Sequence, residues 1–272
     1  MSTGYYTFRE RIIVIEVTTQ LALIKDVRRM GLKKEKISNR STAYIFHDLG
    51  IDTFVYLVET KKKVFIVDTF CGSLSMEPIL VDLEKMIGKK AIIVNTHFHW
   101  DHVWGNCAFS EEIISHGKCR AYLDRYWEKQ IEAHKKQIRG RTEKKLPTIT
   151  FSDRFCYPEE GIELFYSPGH TDDSISLFDH DDKLLYAGDN LEKPLIYVED
   201  NDLETYIKTL EKYIAFSPKM IMAGHSMGLT GEDLLGAIDY LRRLGAGEEM
   251  VFTTEYERSV HENNKRVLSK ES

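Results

Sequence analysis

Cysteine is scarce. Four thiols (Cys71, Cys107, Cys119 and Cys156) stand in 272 residues with no Cys-x-x-Cys pair, which excludes a disulfide framework and a thiolate zinc site. Long apolar runs are missing as well. Ile12 to Ile15 and Ala91 to Val94 stop after a few residues, far short of the roughly 20 that cross a bilayer, so neither a transmembrane helix nor a membrane partner is expected. Arg9, Glu10 and Arg11 precede the first run, Glu16 interrupts it, and no small-residue cleavage site follows; this argues against a secretory signal and for a cytoplasmic protein. Positive charge is not in excess. With 37 Lys and Arg against 43 Asp and Glu, the net charge is -6, so a duplex nucleic acid would meet repulsion and no such partner is expected. No repeat and no Pro- or Ser-rich linker divides the chain, and residues 1–272 read as one domain.

What is present is an ordinary globular balance, 42% hydrophobic and 29% charged, which supports a buried core. Strands are expected over Thr42 to His47, Phe54 to Thr60 and Lys63 to Thr69, the last two joined by Lys61 and Lys62 at hairpin distance. A helix follows, with Ser75 as cap, Pro78 in its first turn and Gly88 past its end. Ala91 to Thr96 reads as a strand buried on both faces. Leu123, Trp127, Ile131, His134 and Ile138 recur at steps of three or four and predict a helical, basic insertion over 118–145. Ile149 to Ala187 is β-rich, with His180-Asp181-Asp182 as a hairpin turn. Asn201 and Glu204 bracket the start of a helix bearing Tyr206, Leu210 and Ile214. A strand from Met220 to Ala223, a helix from Thr230 to Gly245 and a polar tail from about Glu248 complete the chain. This order predicts an α/β sandwich, two mixed sheets face to face with helices outside.

The chemistry concentrates in Thr96-His97-Phe98-His99-Trp100-Asp101-His102, directly after the buried strand. An extended chain points His97, His99 and Asp101 to one side. His102 breaks that period, so the chain must turn near Asp101 and aim Asp101 and His102 at a second location, as a two-metal site requires. Imidazole and carboxylate suit zinc, iron or manganese, and a catalytic ion takes about three protein ligands with a position left for water. The segment alone is short of that number. His170, Asp189 and His225 supply the rest, each after an expected strand on a Gly-containing turn. A lone histidine is more often a core or capping residue, but seven ligand-type residues at strand ends in one chain favour a metal centre.

The string His97-x-His99-x-Asp101-His102, with the Pro-Gly-His170-Thr, Gly-Asp189 and Gly-His225 turns, resembles the metallo-β-lactamase superfamily over roughly residues 42–245. The resemblance implies an αββα sandwich and two divalent ions, zinc first, iron or manganese otherwise. It implies one ion held by His97, His99 and His170, the other by Asp101, His102 and His225, with Asp189 bridging. Within the superfamily the pattern is most similar to hydroxyacylglutathione hydrolase (glyoxalase II), which shares Thr-His-x-His-Trp-Asp-His; that enzyme's C-terminal helical domain is not expected here. The implied activity is a dinuclear metal-dependent hydrolase in which a hydroxide shared by the ions cleaves a small thioester, ester or lactone. A phosphodiesterase with the same centre, or a binding protein on this scaffold, are the alternatives.

Asp101 is expected to orient the hydroxide and take its proton. Asp68, at the Val67-Asp68-Thr69 strand end, is a candidate partner for a ligand histidine, and Tyr197 a candidate to polarise a substrate carbonyl. The insertion carries ten Lys and Arg against four acids, which suits either a solvated face or a lid that draws in a small anionic substrate, with Arg139 and Arg141 as the steering charges. His116, His134 and His180 are expected not to be ligands.

Overall fold

The computed structural model describes residues 31–269; the N-terminal reading around Arg9 to Glu16 lies outside them. The first sheet has seven strands in chain order: β1 (Lys33–Lys36), β2 (Ser41–Phe46), β3 (Thr53–Glu59), β4 (Lys63–Val67), β5 (Lys90–Val94), β6 (Glu112–His116) and β7 (Ile149–Phe151). β1 to β4 pair antiparallel and β4 to β7 parallel. The second sheet holds β8 (Arg154–Tyr157), β9 (Ile162–Tyr166), β10 (Ile175–Asp179), β11 (Leu184–Gly188), β12 (Met220–Ala223) and β13 (Met227–Leu229), antiparallel except for β11 beside β12. Each sheet is therefore mixed, and the parallel strands of both send their C-terminal ends to one edge of the sandwich.

Apolar residues from both sheets, among them Ile45, Val67, Val94, Leu177 and Met222, close the layer between them. Helix α1 (Ser73–Leu83) covers the outer face of the first sheet through Met76 and Ile79. On the outer face of the second lie α4 (Leu203–Phe216) and α5 (Gly231–Gly245), with Tyr206, Leu210 and Leu241 buried beneath them. Two helices intervene: the single turn α2 (Trp100–Val103) and α3 (Gly117–His134). The four-layer αββα sandwich is the expected one. No helix among the described residues is long and apolar enough to cross a membrane.

Several boundaries differ from the sequence reading. β4 stops at Val67 because Asp68 and Phe70 take left-handed φ of 62° and 50°, which breaks the pleat. The cap of α1 is Gly72, not Ser75. Its first amides are satisfied by a distant backbone, Ser73 N donating to Arg141 O at 2.9 Å and Leu74 N to Arg139 O at 3.0 Å. The insertion is helical only to His134, with one 3-10 turn to Gln137, and the segment that follows supplies the carbonyls of 139 and 141 to α1. The cap of α4 is Asp202, whose carboxylate accepts from Thr205 N at 3.0 Å, one residue beyond Asn201. The polar stretch after 248 contains a further helix, α6 (Glu255–Ser269), with Val260, His261 and Asn264 buried.

Candidate metal centre

Four turns meet where the parallel strands end. β5 stops at Val94, the chain bends at His97 and Phe98, and α2 starts at Trp100 with an extended His99 as its cap. His97 and His99 thus project from the bend and the cap, Asp101 and His102 from a helical turn. Asp189 follows β11 directly, His225 follows β12 by two residues, and His170 lies on the β9–β10 loop. The glycines are there because side chains of the cluster press directly on the backbone. A Cβ on Gly224 would collide with Asp189 Oδ1 and stand 2.6 Å from His102 Cε1. Gly188 sits at φ 55° with Thr96 2.9 Å from where its Cβ would be.

The seven expected residues come together in two groups that share an edge. His97, His99, His170 and Asp189 offer ligand atoms all within 4.8 Å of one another, and so do Asp101, His102 and His225. Asp189 Oδ2 is central, 3.6 Å from His97 Nε2, 3.8 Å from His170 Nε2, 3.3 Å from His102 Nε2 and 3.4 Å from His225 Nε2. His99 Nδ1 lies 3.0 Å from His97 Nε2 and 3.2 Å from His170 Nε2. Asp101 Oδ2 lies 3.3 Å from His225 Nε2 and 3.8 Å from His102 Nε2.

Most of the rings are held by the nitrogen that faces away. Asp68 accepts from Thr96 N at 2.8 Å and Thr96 Oγ1 at 2.7 Å, and meets His102 Nδ1 at 2.8 Å. Because the Thr96 hydroxyl donates to Asp68, it accepts from His97 Nδ1 at 3.1 Å, which leaves the His97 Nε2 lone pair facing the centre. His225 Nδ1 donates to Asp52 O at 2.9 Å and His170 Nδ1 to Tyr197 O at 3.4 Å. Asn190, which the sequence reading passed over, accepts from His170 N at 2.8 Å and donates to Ser167 O at 2.7 Å, locking the two loops together.

The electrostatics divide the same way. Burial and the neighbouring rings hold His97 well below its usual range and His99 down at about 3, so both present neutral nitrogens. Burial also opposes charge on His102 and His225, yet Asp189 and Asp101 raise both well above the ordinary value. Against the same desolvation, His102 and His225 bring Asp101 to about 2 and, with His97, pull Asp189 well down. His102 Nε2 and Asp189 Oδ1 are buried and have no hydrogen-bond partner. A buried imidazole nitrogen and a buried carboxylate oxygen without partners, both on residues of the cluster, are what a cation would satisfy, and the nitrogen-and-oxygen donor set fits a divalent one.

Glu192 escaped the sequence reading. It is 8% exposed, forms a further group of ligand-type atoms with Asp189 and His225, and is pushed up to about 8 by burial against the pull of His225. Its position three residues after Asp189 was the available signal. Tyr197 lines the cavity as its place after Asp189 suggests, but its hydroxyl donates to Tyr256 of α6 at 3.3 Å. Among the histidines outside these groups, His116 caps α3 and stacks on Tyr166 at 4.3 Å, His180 meets Glu163 at 3.0 Å, and His134 stacks on Trp100 at 4.6 Å. The charges of the insertion that the sequence reading chose for steering do not face the centre. Arg139 is paired with Asp48 and Arg141 with Glu143.

This is a metal-binding geometry on an αββα sandwich. The chain belongs to the metallo-beta-lactamase superfamily, whose sequence profile matches residues 50–225. Among curated proteins it is similar to a beta-lactamase-like protein 2 homolog of Caenorhabditis elegans, 27% identical over 70% of this chain and 63% of that one. It also resembles a hydroxyacylglutathione hydrolase of Thermosynechococcus vestitus, 26% identical over 42% and 40%, and the acyl-coenzyme A thioesterase MBLAC2 of Homo sapiens, 23% identical over 74% and 82%. The chain thus spans about three fifths of the length of the beta-lactamase-like protein 2 homolog. Among solved structures, a metallo-beta-lactamase from Pontibacter korlensis superposes with a TM-score of 0.61 at 18% identity, over 78% of this chain and 99% of that one.

Proposed function

We propose that the protein is a dinuclear metal-dependent hydrolase of acyl compounds. The observation that carries this reading is Asp189 Oδ2 at 3.3–3.8 Å from four histidine Nε2 atoms. His97, His99 and His170 would hold one ion and Asp101, His102 and His225 the other, with Asp189 between them. Zinc is the first choice of metal, iron or manganese the others. Such ions supply a water acidified from pKa 15.7 to roughly 7 and an electrophile for a carbonyl oxygen.

The chain's own residues do the rest. Asp101, whose free carboxylate edge faces the cavity, orients the attacking water and takes its proton. The acyl–sulfur or acyl–oxygen bond then breaks, the water oxygen stays on the acyl carbon, and the proton passes to the departing thiol or alcohol. Asp68 and Thr96 fix ring orientation and tautomer at His102 and His97, so the ligands need not reorganise. The cavity beside the centre, about 840 Å³, is of the size that small-molecule sites have. The names of relatives, a thioesterase and a hydroxyacylglutathione hydrolase, support a thioester, with esters and lactones as the neighbouring class.

The test is a panel of thioesters, esters, lactones and phosphodiesters, run before and after chelation and with Asp101→Ala. Hydrolysis of an acyl substrate that is lost on chelation, restored by zinc and reduced by about 10²-fold or more in the variant is the expected result. Turnover confined to phosphodiesters assigns the centre to phosphoryl chemistry instead. Indifference to chelation, or a variant that matches the parent on every responsive substrate, ends the metal mechanism.

A further inference from the structure

Helix α3 has two stripes. Cys119, Leu123 and Trp127 face inward and are buried. Tyr122, Arg125, Tyr126 and Lys129 face the cavity that holds the metal centre. The wall is continuous with the ligands: Phe98, the residue before His99, packs edge-on against Tyr122 at 5.3 Å and lies 6.0 Å from Tyr126, and Gln130 donates to its carbonyl at 3.2 Å.

Of the insertion's ten Lys and Arg, Lys118, Lys135, Arg139, Arg141 and Lys144 are in ion pairs, and Arg120 and Lys145 donate to the carbonyls of Pro147 and Phe109. Arg125, Lys129 and Lys136 have no carboxylate partner among the described residues. Two of these three unpaired cations line the cavity. They are four residues apart, one helical turn, with Cβ atoms about 5–6 Å apart on one face. That spacing suits a doubly charged oxyanion such as a phosphate better than a single carboxylate. The aromatic faces beside them suit a flat ring, and the Arg125 guanidinium already lies over the Tyr126 ring at 5.2 Å.

We infer that the cavity face of α3 is a subsite for a phosphate-bearing, ring-bearing arm of the substrate, the part that departs when the acyl bond is cut. The subsite rests on the hydrolytic reading for the identity of that arm as the leaving group, not for its binding. It recasts the substrate from a small acyl compound to an acyl group on a nucleotide-like carrier. Glu199 also lines the cavity, and its carboxylate repels the same charge.

The experiment compares two thioesters with the same acetyl group on the metal-loaded full chain. Acetyl-coenzyme A ends in a phosphorylated nucleotide; S-acetyl-N-acetylcysteamine ends in a neutral amide. KM is expected to be at least about tenfold lower for the first. Arg125→Gln with Lys129→Gln should raise that KM about tenfold at unchanged kcat, the pattern of a lost uniform binding contact, and leave the cysteamine ester unaffected. Lys136→Gln, an unpaired cation off the cavity, should change neither. Equal KM values for the two esters, or a double variant that matches the parent on acetyl-coenzyme A, overturn the subsite. If neither ester is cut, thioester hydrolysis fails by itself, and calorimetry with ADP decides the subsite: heat that weakens about tenfold in the double variant supports it, and no heat at low-millimolar ADP overturns it.

Discussion

Asp68 turns at φ 62° at the end of β4 and delivers both oxygens inward, one to the Thr96 amide and the other to the Thr96 hydroxyl and His102 Nδ1. Its position at a strand end marked it in the sequence as a partner for some ligand histidine; which one depends on a left-handed backbone that no pattern announces. Removing a carboxylate that orients a ligand imidazole typically costs 10–100-fold in metal affinity. Asp68→Ala is therefore expected to weaken zinc binding by about that factor in a titration against a fluorescent chelator, since Asp68 holds His102 directly and His97 through Thr96. Unchanged affinity would mean that these rings need no such support. The seven ligand-type residues were legible because the His-x-His-x-Asp-His spacing and three Gly turns are written locally. Glu192 and the pair Arg125 and Lys129 were not, since which charged side chain faces a cavity depends on how α3 and the 190–199 segment are laid across it.

Elements were legible where one face is apolar. β2 to β5, α4 and α5 fall within a few residues of their expected bounds because burial fixes their period. The element that escaped is α6, whose buried positions include His261 and Asn264. Asn264 earns its burial through bonds: its Oδ1 accepts from Val198 N at 3.0 Å, and its Nδ2 donates to Ile196 O at 2.9 Å and Tyr240 OH at 2.9 Å. It thereby clamps residues 196–198, whose Tyr197 carbonyl holds His170. Asn264→Ala strands a buried amide and a buried carbonyl, a loss of roughly 2–6 kcal/mol at about 1–3 kcal/mol per unsatisfied group. The expected outcome is a lower midpoint in urea, with weaker metal retention on the His97, His99 and His170 side at denaturant concentrations where the fold is intact. A variant with parental stability and retention would show that α6 only covers the surface.

At the scale of the whole molecule, the two sheets are stitched at the edge where the centre lies: β10 Ile175 N donates to Thr96 O at 2.8 Å, Phe54 N to Gly224 O at 2.9 Å and Tyr56 OH to Ala223 O at 2.7 Å. Ligand-type residues of each group come from both sheets, so a cation bound there would tie one half of the sandwich to the other and favour the folded chain alone. At a free cation concentration of about 100 Kd this would contribute roughly 2.7 kcal/mol per occupied site, or about 5–10 °C in Tm for a chain of this size. The pH dependence has a definite sign. His102 and His225 are raised well above the usual 6.5 by Asp189 and Asp101. In the cation-free chain their protonation stabilises the fold below that ordinary value, and this contribution fades as pH rises through the raised values. A divalent cation supplies the same compensation without protons and must displace them to bind. The gain in Tm on adding zinc is therefore expected to grow from pH 6 to pH 8, with proton release visible as a buffer-dependent enthalpy in calorimetry. A Tm gain that is constant or shrinks over that range, with no proton released, would mean that the cation binds somewhere other than among these histidines.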